Sequence, residues 1–208
     1  MQALLPIVYG TISGGLLAVL ARLLCGLLLK QRGHDPNMTR RHFLMMLAGM
    51  ALAGSIIGWR AGVSFKGLYL LLILLVAACA FYIDAKNRVI PNELVLSILV
   101  LSAAFGLAGA ISFQIWQSLL GLVVCFVIFF LPGLFGKQVG AGDVKLAAAM
   151  GFALGLTGSL YAIACMGALV LLYTFFDNRL PLAERLKSMI PMGPFLALGL
   201  VVVSIILA

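Results

Sequence analysis

Long apolar stretches separated by short polar clusters run the length of this 208-residue chain. Residues 42–59, 67–83, 94–136, 146–176 and 188–208 contain no Lys, Arg, Asp or Glu, and residues 1–29 are interrupted only by Arg22. A bilayer core about 30 Å thick takes roughly 20 apolar residues of helix rising about 1.5 Å each. The 43-residue run Leu94–Gly136 must therefore turn once, and GAISFQIWQS (Gly109–Ser118) supplies the turn. The 31-residue run Leu146–Phe176 is too long for one crossing and short for two, and GLTGS (Gly155–Ser159) is its natural break. The pattern predicts about eight transmembrane helices, near 4–29, 42–59, 67–83, 92–110, 115–136, 143–156, 158–176 and 190–207. The fold class is all-α, a polytopic membrane helix bundle built as one integral-membrane domain over residues 1–208.

Composition agrees. The chain is 64% hydrophobic and 10% charged, with a mean hydropathy of +1.20, far outside the range of soluble domains. The lipid bilayer is its expected surroundings, and no nucleic-acid partner is expected. Cys25, Cys79, Cys125 and Cys165 are scattered singly through apolar segments and read as small core residues. His34 and His42 share one polar loop without a second ligand set, so no metal and no cofactor are expected. Trp59, Trp116 and Tyr69, near span ends, read as interfacial anchors.

The charges give the orientation. Eleven basic residues fall in the loops after spans 1, 3, 5 and 7 or beside them, against only Arg60 and Lys66 on the other side. Basic loops are retained in the cytoplasm, which places both termini outside and the loops after spans 1, 3, 5 and 7 inside. All six acidic residues, Asp35, Asp84, Glu93, Asp143, Asp177 and Glu184, then fall at the inner face. Acids have little influence on orientation, so their clustering is independent information, and it points to a site at that face.

Two of these acids stand at helix ends. Asp84 closes the third span in FYIDAKNRVIPNELVL, where Pro91 and Asn92 turn the chain back and Asn92 and Glu93 suit the start of the next helix. Taken alone it is a juxtamembrane acid balanced by Lys86 and Arg88. Asp143 follows Gly140 and Gly142, whose missing side chains permit a turn of positive φ and close approach of another segment. It precedes the small residues Ala147, Ala148, Ala149 and Gly151, which favour tight helix contact. Two carboxyls converging on one site can hydrolyse a peptide: one takes a proton from water while the other, protonated, polarises the carbonyl. The helix macrodipole casts Asp143, at an amino end beside Lys145, as the base and Asp84, at a carboxyl end, as the acid. Glu93, Asp177 and Glu184 are candidates for receiving a basic ligand on a face that is itself net positive.

DAKNRVIPN (Asp84–Asn92), followed by GAGDVKL (Gly140–Leu146), resembles the type IV prepilin peptidases, membrane aspartyl proteases of the GxGD class. IPMGPFLALG (Ile190–Gly199) and GTISGGLLAVLARL (Gly10–Leu23) are similar to two further stretches of that family. The resemblance implies that Asp84 and Asp143 are the catalytic pair. It implies an endopeptidase acting at the cytoplasmic membrane face on prepilins or pseudopilins, cut after a glycine between a short basic leader and an apolar helix. Substrate contacts are expected from Gly140, Gly142, Lys145, Glu93, Pro191, Gly193 and Pro194. The longer relatives carry a large, cysteine-bearing loop after the first helix that is associated with N-methylation. Here residues 30–42 are a short loop, and peptidase activity alone is expected. The rival readings are a proton-coupled transporter, which would want acids near mid-membrane, and a non-catalytic scaffold of a pilus or secretion machine, which would tolerate loss of Asp143.

Overall fold

The computed structural model describes residues 4–135, 140–176 and 192–207. They form seven helices and, among the described residues, no strand: α1 Leu4–Gln31, α2 Arg40–Ala61, α3 Phe65–Asn87, α4 Asn92–Leu107, α5 Ile115–Leu134, α6 Ala141–Phe176 and α7 Gly193–Ile206. The all-α, multi-pass expectation holds. Five of these helices are long and apolar enough to cross a membrane, and α4 and α7 are shorter apolar helices.

The expected sixth and seventh spans are one helical element, α6, broken at Gly155 with φ 68° and ψ −178°. Contacts on either side show that the chain reverses there. Gly142 meets Ile90 at the start of α6, and Phe152 stacks edge-on against Phe113 of the α4–α5 connection. Beyond the break, Gly158 lies against Leu207 near the far end of α7, and Tyr173 packs on Phe195 near its start. The second half of α6 thus runs antiparallel to α7 and back towards the end from which the first half came. A φ in the left-handed region is costly for any residue but glycine, which is why the break falls on Gly155.

Close helix packing comes from missing side chains. Gly10 and Gly14 of α1 sit on the backbone of α2 at Gly54 and Met50, and Gly58 sits on the Pro6 carbonyl, with no room for a Cβ at any of the three. The centre of the bundle is α3. Two-thirds of its apolar window is buried in protein, against 22–28% for the other four long helices, whose outer faces are left to lipid. Ser64 starts α3 by accepting the Gly67 N–H at 3.1 Å.

The two ends of the bundle carry different side chains. At one end Arg32, after α1, pairs with Glu93 of α4 at 2.6 Å, and Lys86 of α3 reaches Asp35. At the other Arg60 of α2 donates to the Ile206 carbonyl at 3.1 Å. This matches the alternation expected from the loops. Arg22, the basic residue that interrupts the first apolar run, lies over the Phe43 ring at 4.8 Å from its centroid.

Two readings need adjustment. Tyr69 is not an interfacial anchor: it is 4% exposed, and its hydroxyl meets that of Ser102 at 3.1 Å. A span-end tyrosine looks the same in sequence whether lipid headgroups or a neighbouring helix satisfies its hydroxyl. Trp59 and Trp116 are exposed, as anchors should be. Cys25, Cys79 and Cys125 are buried as expected, whereas Cys165 is only half-buried.

Candidate active site

Asp84 lies on the last turn of α3. That helix ends because Arg88 takes a left-handed conformation (φ 54°, ψ 38°) while its N–H still bonds the Asp84 carbonyl at 2.8 Å. Ile90 and Pro91 then lead directly into α4, with Pro91 at its N-cap. The Asp84 side chain is not a solvated juxtamembrane acid, being only 5% exposed. Nor does Lys86 balance it. The Lys86 ammonium turns to the Asp35 and Asn37 carbonyls at 3.1 and 3.0 Å and to the Asp35 carboxylate at 3.4 Å. The Asn37 N–H and Lys86 together hold the Asp35 carboxyl below its usual range.

Asp143 is the third residue of α6, and its N–H bonds the Gly140 carbonyl at 3.0 Å. Gly142 stands inside the helix rather than in a turn of positive φ. What its missing side chain provides is room: a Cβ there would lie 3.1 Å from the Ile90 Cβ, so the α3–α4 connection would have to give by a few tenths of an ångström to stay against α6. A Cβ on Gly140 would lie 3.0 Å from Oδ2 of Asp143. The second glycine thus admits the neighbouring segment, and the first leaves space for the carboxyl.

These segments close around a cavity of about 220 Å³, lined by Asp84 and Asp143 together with Arg88, Ile90, Asn92 and Lys145. Asp143 Oδ1 is buried with no hydrogen-bond partner, whereas the Gly193 N–H of α7 bonds the Asp84 carboxyl. Gly193 is pressed onto Asp84: a Cβ there would sit 2.5 Å from Oδ2 and 2.7 Å from Cγ. Two distant parts of the chain therefore meet at one cavity, and a third, α7, packs on Asp84 beside it. Two carboxyls brought within hydrogen-bond reach would share a proton, the state in which one carboxyl can activate water and the other can donate.

The remaining expected residues are placed unevenly. Pro194 is buried in the first turn of α7, while Pro191, Asp177 and Glu184 lie outside the described residues. Glu93 points to Arg32 rather than lining the cavity. Lys145 lines the cavity, but its ammonium donates to Oδ1 of Asn92 at 3.1 Å. Arg88, Ile90 and Asn92 were not singled out as site residues by the sequence, although all three belong to the stretch that carries Asp84. Their part in the cavity depends on the approach of α6, which local sequence does not record. A second, apolar cavity of about 380 Å³ opens between α2, α3 and α7. Its lining residues Phe81 and Ala197 lie three and four positions from Asp84 and Gly193, about one turn of helix away.

Residues 68–175, just over half of the chain, match the profile of the type IV leader peptidase family. No curated protein and no solved structure matches the chain.

Proposed function

The chain belongs to the type IV leader peptidase family, and we propose that it is an aspartyl endopeptidase that removes the basic leader from prepilins or pseudopilins at the cytoplasmic face of the bacterial inner membrane. The observation that carries this reading is the pairing of Asp84 and Asp143 on one cavity at one end of the bundle. Both lie within a turn of their helix ends, not at mid-span where a proton relay through the membrane would want them.

In the proposed reaction the ionised carboxylate takes a proton from water as the oxygen attacks the scissile carbonyl. The protonated partner meanwhile donates to that carbonyl oxygen. Collapse of the tetrahedral intermediate breaks the C–N bond and passes a proton to nitrogen. The leader leaves with a carboxyl terminus and the mature chain with a free amine. Helix ends alone would make Asp143 the base, but Asp84 has a backbone donor from Gly193 that the Asp143 Oδ1 lacks. The shared proton is therefore assigned to the pair and not to either residue.

The apolar cavity between α2, α3 and α7 supports the substrate class, because it offers an apolar surface whose lining residues Phe81 and Ala197 lie about one helical turn from Asp84 and Gly193. The whole of residues 1–208 acts in this reading as one integral-membrane domain, with residues 30–42 as its short cytoplasmic loop. The experiment is incubation of the purified protein in lipid with a pilin-like substrate, followed by mass measurement of the product's amino terminus. A single cut after the glycine before the apolar helix, leaving an unmethylated amine, is expected. An intact substrate, or cuts spread through its soluble part, would overturn the proposal.

A further inference from the structure

Lys145 and Asn92 sit at the rim of the cavity and join the two segments that carry the aspartates. Asn92 is the first residue of α4, eight positions after Asp84, and Lys145 follows Asp143 by two in the first turns of α6. Side chains two positions apart on a helix point in different directions. The Lys145 ammonium is accordingly turned away from its neighbouring carboxylate and lies 3.1 Å from the Asn92 Oδ1. Asn92, for its part, makes no side-chain cap for α4, whose N-cap is Pro91. Its amide oxygen is engaged across the gap between helices instead.

The packing beside this bond has the same effect. A Cβ on Gly142 would lie 3.1 Å from the Ile90 Cβ, so the α3–α4 connection and the start of α6 touch at Ile90–Gly142 and are tied at Asn92–Lys145. The two contacts flank Asp143 on either side in sequence. Together they set how far the start of α6 stands from the end of α3, and hence the separation of the two carboxyls.

From this geometry we infer that Lys145 and Asn92 are positioning residues: their hydrogen bond clamps the amino end of α6 to the α3–α4 connection and holds Asp143 at its working distance from Asp84. The inference rests on the peptidase reading and assigns Lys145 to the enzyme's own framework, not to the substrate. A pair acting as one clamp fails as a unit, because loss of either partner leaves the other nothing to hold.

The test is a double-mutant cycle with Lys145→Met, Asn92→Ala and the double variant, each assayed for kcat and KM on a pilin-like substrate. Misplacement of a catalytic group by an ångström can cost about 10²-fold. Each single variant is therefore expected to lose kcat on that scale with KM little changed, and the double variant to be no slower than the worse single. Lys145→Arg keeps a donor able to reach the Asn92 oxygen and is expected to recover most of the lost rate. Thermal unfolding of each variant in detergent separates misplacement from loss of fold. Effects that multiply in the double variant, or that fall on KM, would overturn the clamp and return Lys145 to the substrate. Absence of cleavage by the wild-type protein would instead strike the peptidase reading itself.

Discussion

Asp84→Asn and Asp143→Asn proteins are each expected to lose at least about 10³-fold in cleavage rate while remaining folded, since proton transfer by a positioned side chain contributes roughly 10²–10⁴-fold. Asparagine has nearly the size of aspartate but can neither accept a proton from water nor deliver one. The variants should unfold at the wild-type temperature or above it. Asp84 is almost wholly buried, and Asp143 Oδ1 is buried without a partner, so replacing either acid removes a like-charge repulsion and a buried ionisable group. Rate assays with thermal unfolding in detergent check both halves of the prediction. A rate loss that tracked a fall in unfolding temperature would point to a structural role for the acids and not a chemical one.

The second large effect is expected from one methyl group. Gly193→Ala would put a Cβ 2.5 Å from Oδ2, 2.7 Å from Cγ and 3.0 Å from Cβ of Asp84, closer than carbon and oxygen can sit. The carboxyl end of Asp84 borders an open cavity and is the part free to yield, so the strain is relieved by moving it out of its place relative to Asp143. A rate loss of about 10²-fold follows from displacement of that order, with the bundle otherwise intact. Gly167→Ala is the control: a Cβ there meets nothing within 4 Å, alanine favours helix over glycine, and the rate should stay near wild type. Equal rates for Gly193→Ala and wild type would remove the contact between α7 and Asp84 from the account.

Much of this architecture is written in local features of the chain. Apolar run lengths give the spans, and the turn expected within Gly109–Ser118 falls at residues 109–114, between α4 and α5. The glycine at position 155 marks the reversal inside α6, because only a residue without a Cβ takes that conformation cheaply. The aspartates are legible as well, since an acid in so apolar a chain needs a reason to be there. Pairings between distant residues are less visible. Tyr69 finds Ser102, Glu93 finds Arg32 and Lys145 finds Asn92 across 33, 61 and 53 positions. Each looks in sequence like an ordinary solvated or interfacial side chain, and only the packing of helices reveals its partner. The positive φ expected of the GxGD stretch is also absent at Gly142, where glycine serves close approach. Both uses of glycine leave the same mark in the sequence.

The account depends most on Asp84 and Asp143 standing together at one end of the bundle. Cysteines placed at both positions, with Cys25, Cys79, Cys125 and Cys165 replaced, can be treated in membranes with a thiol reagent only a few atoms long, and the mass of the adduct measured. One reagent molecule bridging positions 84 and 143 is the expected result, with no bridge between position 84 and a cysteine at Gln114 at the start of α5. Two separately modified thiols at 84 and 143, or a bridge from 84 to 114, would contradict it.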